Sequence, residues 1–337
     1  MDDQAEVRAG PAPTRRGRGC LLWLGVSLAV LVGVLLAGYI IEPRAEAADA
    51  EAYPPPGELV DVGGYRLHIN CTGSGSPTVV IDAGWGDWST AWGLVQSEVA
   101  QTTRVCTYDR AGTGWSDAGP LPRNATQFAK EMYTLLQAAH IQAPYVLAGH
   151  SLGGLPVRVF AGTYPSEVAG VVLIDSMTPQ QFTQAPTEVQ SQPNPQARPL
   201  SLPAMLARVG IVRLLARPLD LVPSGSPDEK AAYSRVVRTQ NVQAYIDEGE
   251  GMPAAGAEAG AVKSFGDLPL IVLTAKLNKL PNWQERQTEL LKLSSNSVQL
   301  FAGSDHNIHF EAPDAAVAAI NQMVAQVRQT SDPTVQK

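Results

Sequence analysis

Residues 149–154 read Gly149-His150-Ser151-Leu152-Gly153-Gly154, between an apolar run, Tyr145-Val146-Leu147-Ala148, and a stretch of helical character. A serine flanked by glycines on the turn from a strand into a helix has the form of a nucleophile elbow. The turn is tight enough that a side chain at Gly149 or Gly153 would collide with neighbouring backbone. In exchange, it holds the Ser151 hydroxyl out at the sheet edge, where a substrate can reach it. A hydroxyl is a poor nucleophile until a base removes its proton, so this serine needs a histidine. The chain has five: His68, His140, His150, His306 and His309. His68 lies in an early strand and His140 ends the helix before the nucleophile strand, which are structural positions. His150 precedes the serine, so its side chain is expected to point away. His306 and His309, both after the last strand, remain as candidates.

Two further blocks accompany the elbow. Asp109-Arg110-Ala111-Gly112-Thr113-Gly114-Trp115-Ser116-Asp117 lies upstream, and Ser304-Asp305-His306-Asn307-Ile308-His309, followed by Pro313, lies near the C-terminus. In type, order and distance the three blocks resemble the α/β-hydrolase fold family, with its D-R-x-G-x-G-x-S-D loop, its elbow and its histidine loop. The resemblance covers Leu59 to the C-terminus. It implies an α/β fold: a mostly parallel eight-stranded sheet covered by helices on both faces, with a helical cap between strands 6 and 7. It also puts His306 at the position of the catalytic histidine, with His309 as the alternative.

The acid that orients the imidazole and stabilises its charged form departs from the commonest family pattern. Many members carry an aspartate after strand 7, in a segment resembling P-x-L-x-x-x-G-x-x-D. This chain reads Pro269-Leu270-Ile271-Val272-Leu273-Thr274-Ala275-Lys276-Leu277-Asn278, so an amide holds the carboxylate position. Some members take the acid from strand 6, which makes Asp175 the candidate, at the end of Val171-Val172-Leu173-Ile174. The alternative for Asp175 is a helix cap for the first turn of the cap domain. Asp305 adjoins His306 too closely in sequence for the required geometry.

Acyl transfer passes through a tetrahedral oxyanion, which needs preorganised donors. One is the backbone N–H of Leu152, directly after the nucleophile. Ala83-Gly84-Trp85-Gly86 resembles the family's H-G-x turn, with Ala83 in the histidine's place, and makes the N–H of Trp85 the other. The simpler alternative there is a tight turn and no more. Trp85, Trp88, Trp92 and Trp115 fall in or just after loops at the same edge. Trp88 and Trp115 are read as walls of an apolar substrate pocket, with plain core packing the alternative for Trp88 and Trp92. Asp109 and Arg110 are read as ties between loops.

Strands are expected at residues 58–62, 65–70, 78–81, 105–108, 145–148, 171–174, 270–273 and 298–301. Between most of them lie helical patterns, such as residues 125–139 with Phe128, Met132, Leu135 and Leu136 at helical spacing. Alternation of this kind argues a parallel sheet covered on both faces. Residues 177–265 break it: a Pro/Gln-rich loop at 178–199 leads into amphipathic pieces at 202–215 and 228–245. A loop of that length without function is uncommon, and it is read as the cap. The core then comprises residues 58–176 and 266–337.

The chain has 337 residues, 45% of them hydrophobic, and a net charge of −7, which leaves no basic footprint for nucleic acid. Leu21 to Ile41 is free of charge, 21 residues (41 − 21 + 1), or roughly 30 Å of helix, the thickness of a bilayer core. Arg15, Arg16 and Arg18 precede it, which argues that residues 1–20 stay cytoplasmic and the remainder crosses. The alternative is a secretory signal, cleaved near Ala45-Glu46-Ala47. Residues 42–57, rich in Ala, Glu and Pro, read as a linker. Of three cysteines, Cys71 and Cys106 fall on strands that are neighbours in the family's sheet order. The resemblance therefore implies a Cys71–Cys106 disulfide, which an oxidising compartment permits; two free buried cysteines are the alternative.

The reading is a membrane-tethered serine hydrolase outside the cytoplasm, with Ser151, His306 and Asp175 acting on a small ester-type substrate through an acyl-enzyme. No metal or organic cofactor is implied. Dehalogenases and epoxide hydrolases of this fold use an aspartate nucleophile, so Ser151 argues against both. Peptidase, acyltransferase and a non-catalytic binding protein on the same scaffold are the alternatives.

Overall fold

The computed structural model describes residues 16–182, 199–219, 221 and 229–331. Its strands are β1 (Glu58–Asp61), β2 (Arg66–Thr72), β3 (Thr78–Asp82), β4 (Val105–Tyr108), β5 (Tyr145–His150), β6 (Val168–Ile174), β7 (Leu270–Ala275) and β8 (Ser297–Ala302). They form one eight-stranded sheet in the order β1-β2-β4-β3-β5-β6-β7-β8. β2 runs antiparallel to β1 and β4, and the remaining pairings are parallel. Each expected strand corresponds to one of these.

The helices before the elbow are α1 (Arg16–Ala52), α2 (Gly93–Val99) and α3 (Ala125–Ala138). After it come α4 (Gly154–Thr163), then α5 (Leu202–Arg208), α6 (Ile211–Leu215), α7 (Glu229–Val236) and α8 (Thr239–Ala261). The C-terminal part adds α9 (Trp283–Glu289), α10 (Ile308–Glu311) and α11 (Pro313–Ser331). The Asn124 side chain caps α3 by accepting from the Gln127 N–H at 3.0 Å, satisfying one of the donors a helix start leaves open. Phe128, Met132, Leu135 and Leu136 form its buried face.

Because helices lie on both faces, the central strands are apolar throughout. Tyr145 and Leu147 of β5 enter one core with Phe128, Met132 and Phe160. Val146 and Ala148 enter the other with Val95, Ile320 and Met323. Each fully buried side chain of this size contributes roughly 1.5–3 kcal/mol. These two cores fix the strand ends that carry the chemistry.

α5 to α8 form the insertion between β6 and β7. The amphipathic run at 202–215 is two helices rather than one, since Gly210 adopts φ 77° between them. The second run likewise divides, into α7 and the longer α8. Most of the Pro/Gln-rich loop, residues 183–198, lies outside the described residues.

Residues 42–57 correct the expectation of a linker. α1 continues to Ala52 with Pro43 inside it, and its acidic side chains bind the cap. Arg213 donates to Glu42 at 2.8 Å and to Asp49 at 2.8 Å, and Thr239 donates to Glu46 at 2.8 Å. The alanines and glutamates that look like spacer composition are strong helix formers. Among the described residues α1 is the one helix long and apolar enough to cross a membrane, a test that a signal sequence also passes.

Cys71 and Cys106 face each other in the β2–β4 register and form a disulfide, and Cys20 is free. The bridge closes a segment with a sequence separation of 35, which in the loop-entropy account stabilises by about 3–4 kcal/mol. Unreduced, denatured protein is expected to show one titratable thiol. The Cys71→Ala/Cys106→Ala variant should lose about 3–4 kcal/mol in denaturant unfolding. Three thiols, or undiminished stability, would contradict the bridge.

Candidate active site

β5 delivers Ser151 at its C-terminal end, in a backbone conformation that side chains rarely adopt (φ 50°). A residue held there marks stored strain, and the glycines make the turn feasible. A Cβ on Gly149 would sit 2.6 Å from the Gly153 carbonyl oxygen, and one on Gly153 would strike the Asp82 and Ala83 carbonyls. The expected collisions at both glycines are therefore real.

His306, in the loop after β8, reaches the serine. Its Nε2 lies 2.9 Å from Ser151 Oγ, and its Nδ1 lies 2.7 Å from Asp175 Oδ2. A carboxylate only accepts, so Nδ1 carries the proton and Nε2 is left to receive the one on Oγ. Asp175 follows β6, buried and also at positive φ (40°). Its Oδ1 accepts from the Ala275 N–H at 2.9 Å and from Trp283 Nε1 at 2.7 Å. Its Oδ2 accepts from Asn278 Nδ2 at 2.8 Å as well as from His306. Four donors thus replace the water that burial removes, as a buried carboxylate requires. Asn278, at the position where the family resemblance leads one to expect a carboxylate, instead donates to Asp175.

The other histidines are elsewhere. His309 is buried, stacked on Trp92 with ring centres 4.8 Å apart and 3.5 Å from Asp87 Oδ2. His68 bonds Asp109 in the core at 2.9 Å. Asp305 accepts from the His306 N–H at 2.8 Å, bracing the loop from within.

His150, whose side chain is expected to point away from Ser151, packs beside His306. Its ring centre lies 4.8 Å from that of His306, and Nε2 donates to the His306 carbonyl at 3.0 Å. Burial, with His309 and His306 beside it, holds this imidazole well below its usual range, so it remains neutral. His150 and Trp283 are the two site residues that motif reading did not supply.

The turn bearing Trp85 is tied from beneath by Arg110. This buried guanidinium donates to Asp82 Oδ1, the Ala83 carbonyl and the Gly84 carbonyl, each at 2.7 Å. It also donates to Glu248 of α8 at 2.7 Å. Burial pushes the Asp82 carboxyl up to about 6 against the pull of Arg110. Gly153 packs against the Asp82 and Ala83 carbonyls where this turn begins. Asp109 ties further loops, accepting from the backbone N–H groups of Ser89 at 2.7 Å and Trp115 at 2.9 Å.

Of the tryptophans, Trp85 stacks on Tyr245 of α8 at 4.1 Å, and its indole donates to the Tyr245 carbonyl at 2.8 Å. Trp88 lines an apolar cavity of about 350 Å³ between this edge and the cap. Trp115 lies behind it, packed with Ala232, its indole bonded to the Tyr53 carbonyl at 2.9 Å. Trp92 is core.

The sequence matches the alpha/beta hydrolase fold family over residues 77–313. Among curated relatives, it is 26% identical over 272 residues to the uncharacterized protein YqjL of Bacillus subtilis, covering 78% of this chain and 90% of that one. It is 32% identical over 136 residues to a probable transporter, efuK, of Hormonema carpetanum, covering 38% of this chain but 20% of the transporter. The enol-lactonase from Burkholderia xenovorans superposes with TM-score 0.60 at 19% identity, over 80% of this chain and all of the other.

The Asn278 amide invites a direct test. Its Asn278→Ala variant is expected to slow phosphonylation of Ser151 by a fluorophosphonate about 10-fold or more, the worth of one hydrogen bond to a charged group. Asn278→Asp, which sets two carboxylates against each other, should slow it further. An unchanged labelling rate in both would remove Asn278 from the site.

Proposed function

The chain belongs to the α/β-hydrolase fold family, and from that premise we propose that it is a serine hydrolase of carboxylic esters, tethered to the membrane and facing away from the cytoplasm. The observation that carries this reading is His306 bridging Ser151 Oγ, at 2.9 Å, and Asp175 Oδ2, at 2.7 Å. Those are hydrogen-bond distances suited to general-base catalysis.

In the proposed reaction Ser151 Oγ attacks the ester carbonyl carbon while its proton passes to His306 Nε2. Asp175 keeps the ring oriented and stabilises the imidazolium that forms. The carbonyl oxygen, now an oxyanion, is received by the N–H groups of Leu152 and Trp85. As the intermediate collapses, the alkoxide leaves with the proton from His306, and Ser151 holds the acyl group. A water molecule, deprotonated by the same imidazole, then attacks the acyl carbon, and Ser151 is regenerated with release of the acid.

The tether draws support from the exposed apolar length of α1. The extracytoplasmic side is supported by the arginines ahead of the apolar run and by the disulfide.

A fluorophosphonate probe is expected to label the protein, and Ser151→Ala to abolish labelling. Asp175→Asn should lower kcat toward p-nitrophenyl esters by about 10⁴-fold, as loss of the carboxylate does in such triads. Near-normal turnover in Asp175→Asn would remove that residue from the assignment. Folded protein that takes no label would favour a binding protein on the hydrolase scaffold.

A further inference from the structure

The first two cap helices are inside out for a surface that meets water. α5 and α6 are joined through Val209 and Gly210, and with the residues just after α6 they bury Ala204, Ala207 and Ala216. Outward they present large apolar side chains: Leu202 is 69% exposed, Met205 50%, Leu214 76% and Leu219 59%. A surface helix ordinarily turns its large apolar residues to the core. A contiguous exposed apolar face of this kind marks an interaction or membrane site.

α1 indicates what covers it. The window of α1 suited to span a membrane is 0% buried, and the last turns of its apolar run lean on the hairpin. Gly38 lies so close to the Val209 carbonyl that no side chain fits between them, and the Arg208 guanidinium sits 4.6 Å from the Tyr39 ring centre. Val209 therefore touches α1 three residues before that run ends (41 − 38 = 3). Just beyond, the bonds from Arg213 to Glu42 and Asp49 fasten the two together. A bilayer that takes in α1 as far as Ile41 must meet the hairpin at its surface.

We propose that the α5–α6 hairpin is seated in the leaflet beside α1, and that the cap thereby receives lipophilic, long-chain esters from the bilayer; the second part rests on the esterase reading above. Interfacial helices bind by sinking such a face into the boundary between headgroups and acyl chains. The apolar cavity supplies the route inward. Pro203, Val212 and Leu221 wall it on the hairpin side, and Gly86, Trp88 and Tyr245 on the other. Gly86 adjoins Trp85, so a chain entering beside the hairpin arrives at the turn that bears the proposed oxyanion donor.

The test uses the full chain with Cys20→Ser, which leaves the Cys71–Cys106 bridge intact. A bimane label is placed at Leu214→Cys or, on the opposite end of the sheet before β5, at Gln142→Cys. In phosphatidylcholine vesicles carrying acyl-brominated lipid, the label at position 214 should be quenched several-fold more than that at 142. Equal quenching overturns the seating, and this readout needs no catalysis. In the second arm, Leu202→Glu/Leu214→Glu should hydrolyse vesicle-borne p-nitrophenyl palmitate at least tenfold more slowly, with aqueous p-nitrophenyl acetate unaffected. Equal losses on both esters, or none, overturn delivery from the bilayer. Wild-type protein that cleaves neither ester overturns the esterase reading and delivery with it, while quenching still decides the seating.

Discussion

One backbone constraint organises the molecule: Ser151 stands at φ 50°, where a side chain costs roughly 1–3 kcal/mol of strain. The neighbouring chain can hold it there because three glycines let it come close. Gly149 faces the Gly153 carbonyl, Gly153 faces the carbonyls of Asp82 and Ala83, and Gly154 faces the Ser176 hydroxyl. The same turn therefore touches the end of β3, where the Trp85 turn begins, and the end of β6, next to Asp175. Met177 donates to the Ser151 carbonyl at 2.9 Å and closes the second contact. The relative places of Ser151, the Trp85 turn and Asp175 follow from one tight packing of backbone on backbone, and the parallel sheet brings those three strand ends together.

Asp175 shows what a buried carboxylate requires of the elements around it. A carboxylate after β6 and one after β7 serve the same imidazole only if the buried group finds its full set of donors. Here β7 still contributes, through the Ala275 amide and the Asn278 side chain, and α9 adds the Trp283 indole. The loop after β7, which carries Asn278 in place of an acid, thus helps to solvate Asp175.

What could be read from the sequence follows from how local each signal is. The central strands announce themselves because strands buried on both faces are largely apolar runs, while β1, β2 and β8 toward the sheet edges show through their β-branched and alternating residues. Ser151, His306 and the tight glycines are legible because each sits in a short block whose spacing the chemistry dictates. The bond of His150 to a carbonyl 156 residues away is not legible in sequence, because the position before the serine says nothing about so distant a partner. Trp283 gave no signal at all, since an indole that donates to a carboxylate looks in sequence like any buried aromatic. The acidic stretch after Ile41 was misread for a related reason. Its composition suits a solvated spacer equally well, and only the partners Arg213 and Thr239, far along the chain, make it a docked helix.

Several distant contacts converge on the first half of α8. At its start Thr239 holds Glu46 of α1, nearly two turns on Tyr245 stacks on Trp85, and one turn later Glu248 holds Arg110. Swinging the whole cap away would part Glu248 from Arg110, which keeps Asp82, and leave the Glu248 carboxylate without its guanidinium. Breaking a buried pair in this way typically costs about 3–5 kcal/mol. It would also slacken the turn that Arg110 binds through Ala83 and Gly84. A rigid-body lid is thus a poor description of this cap.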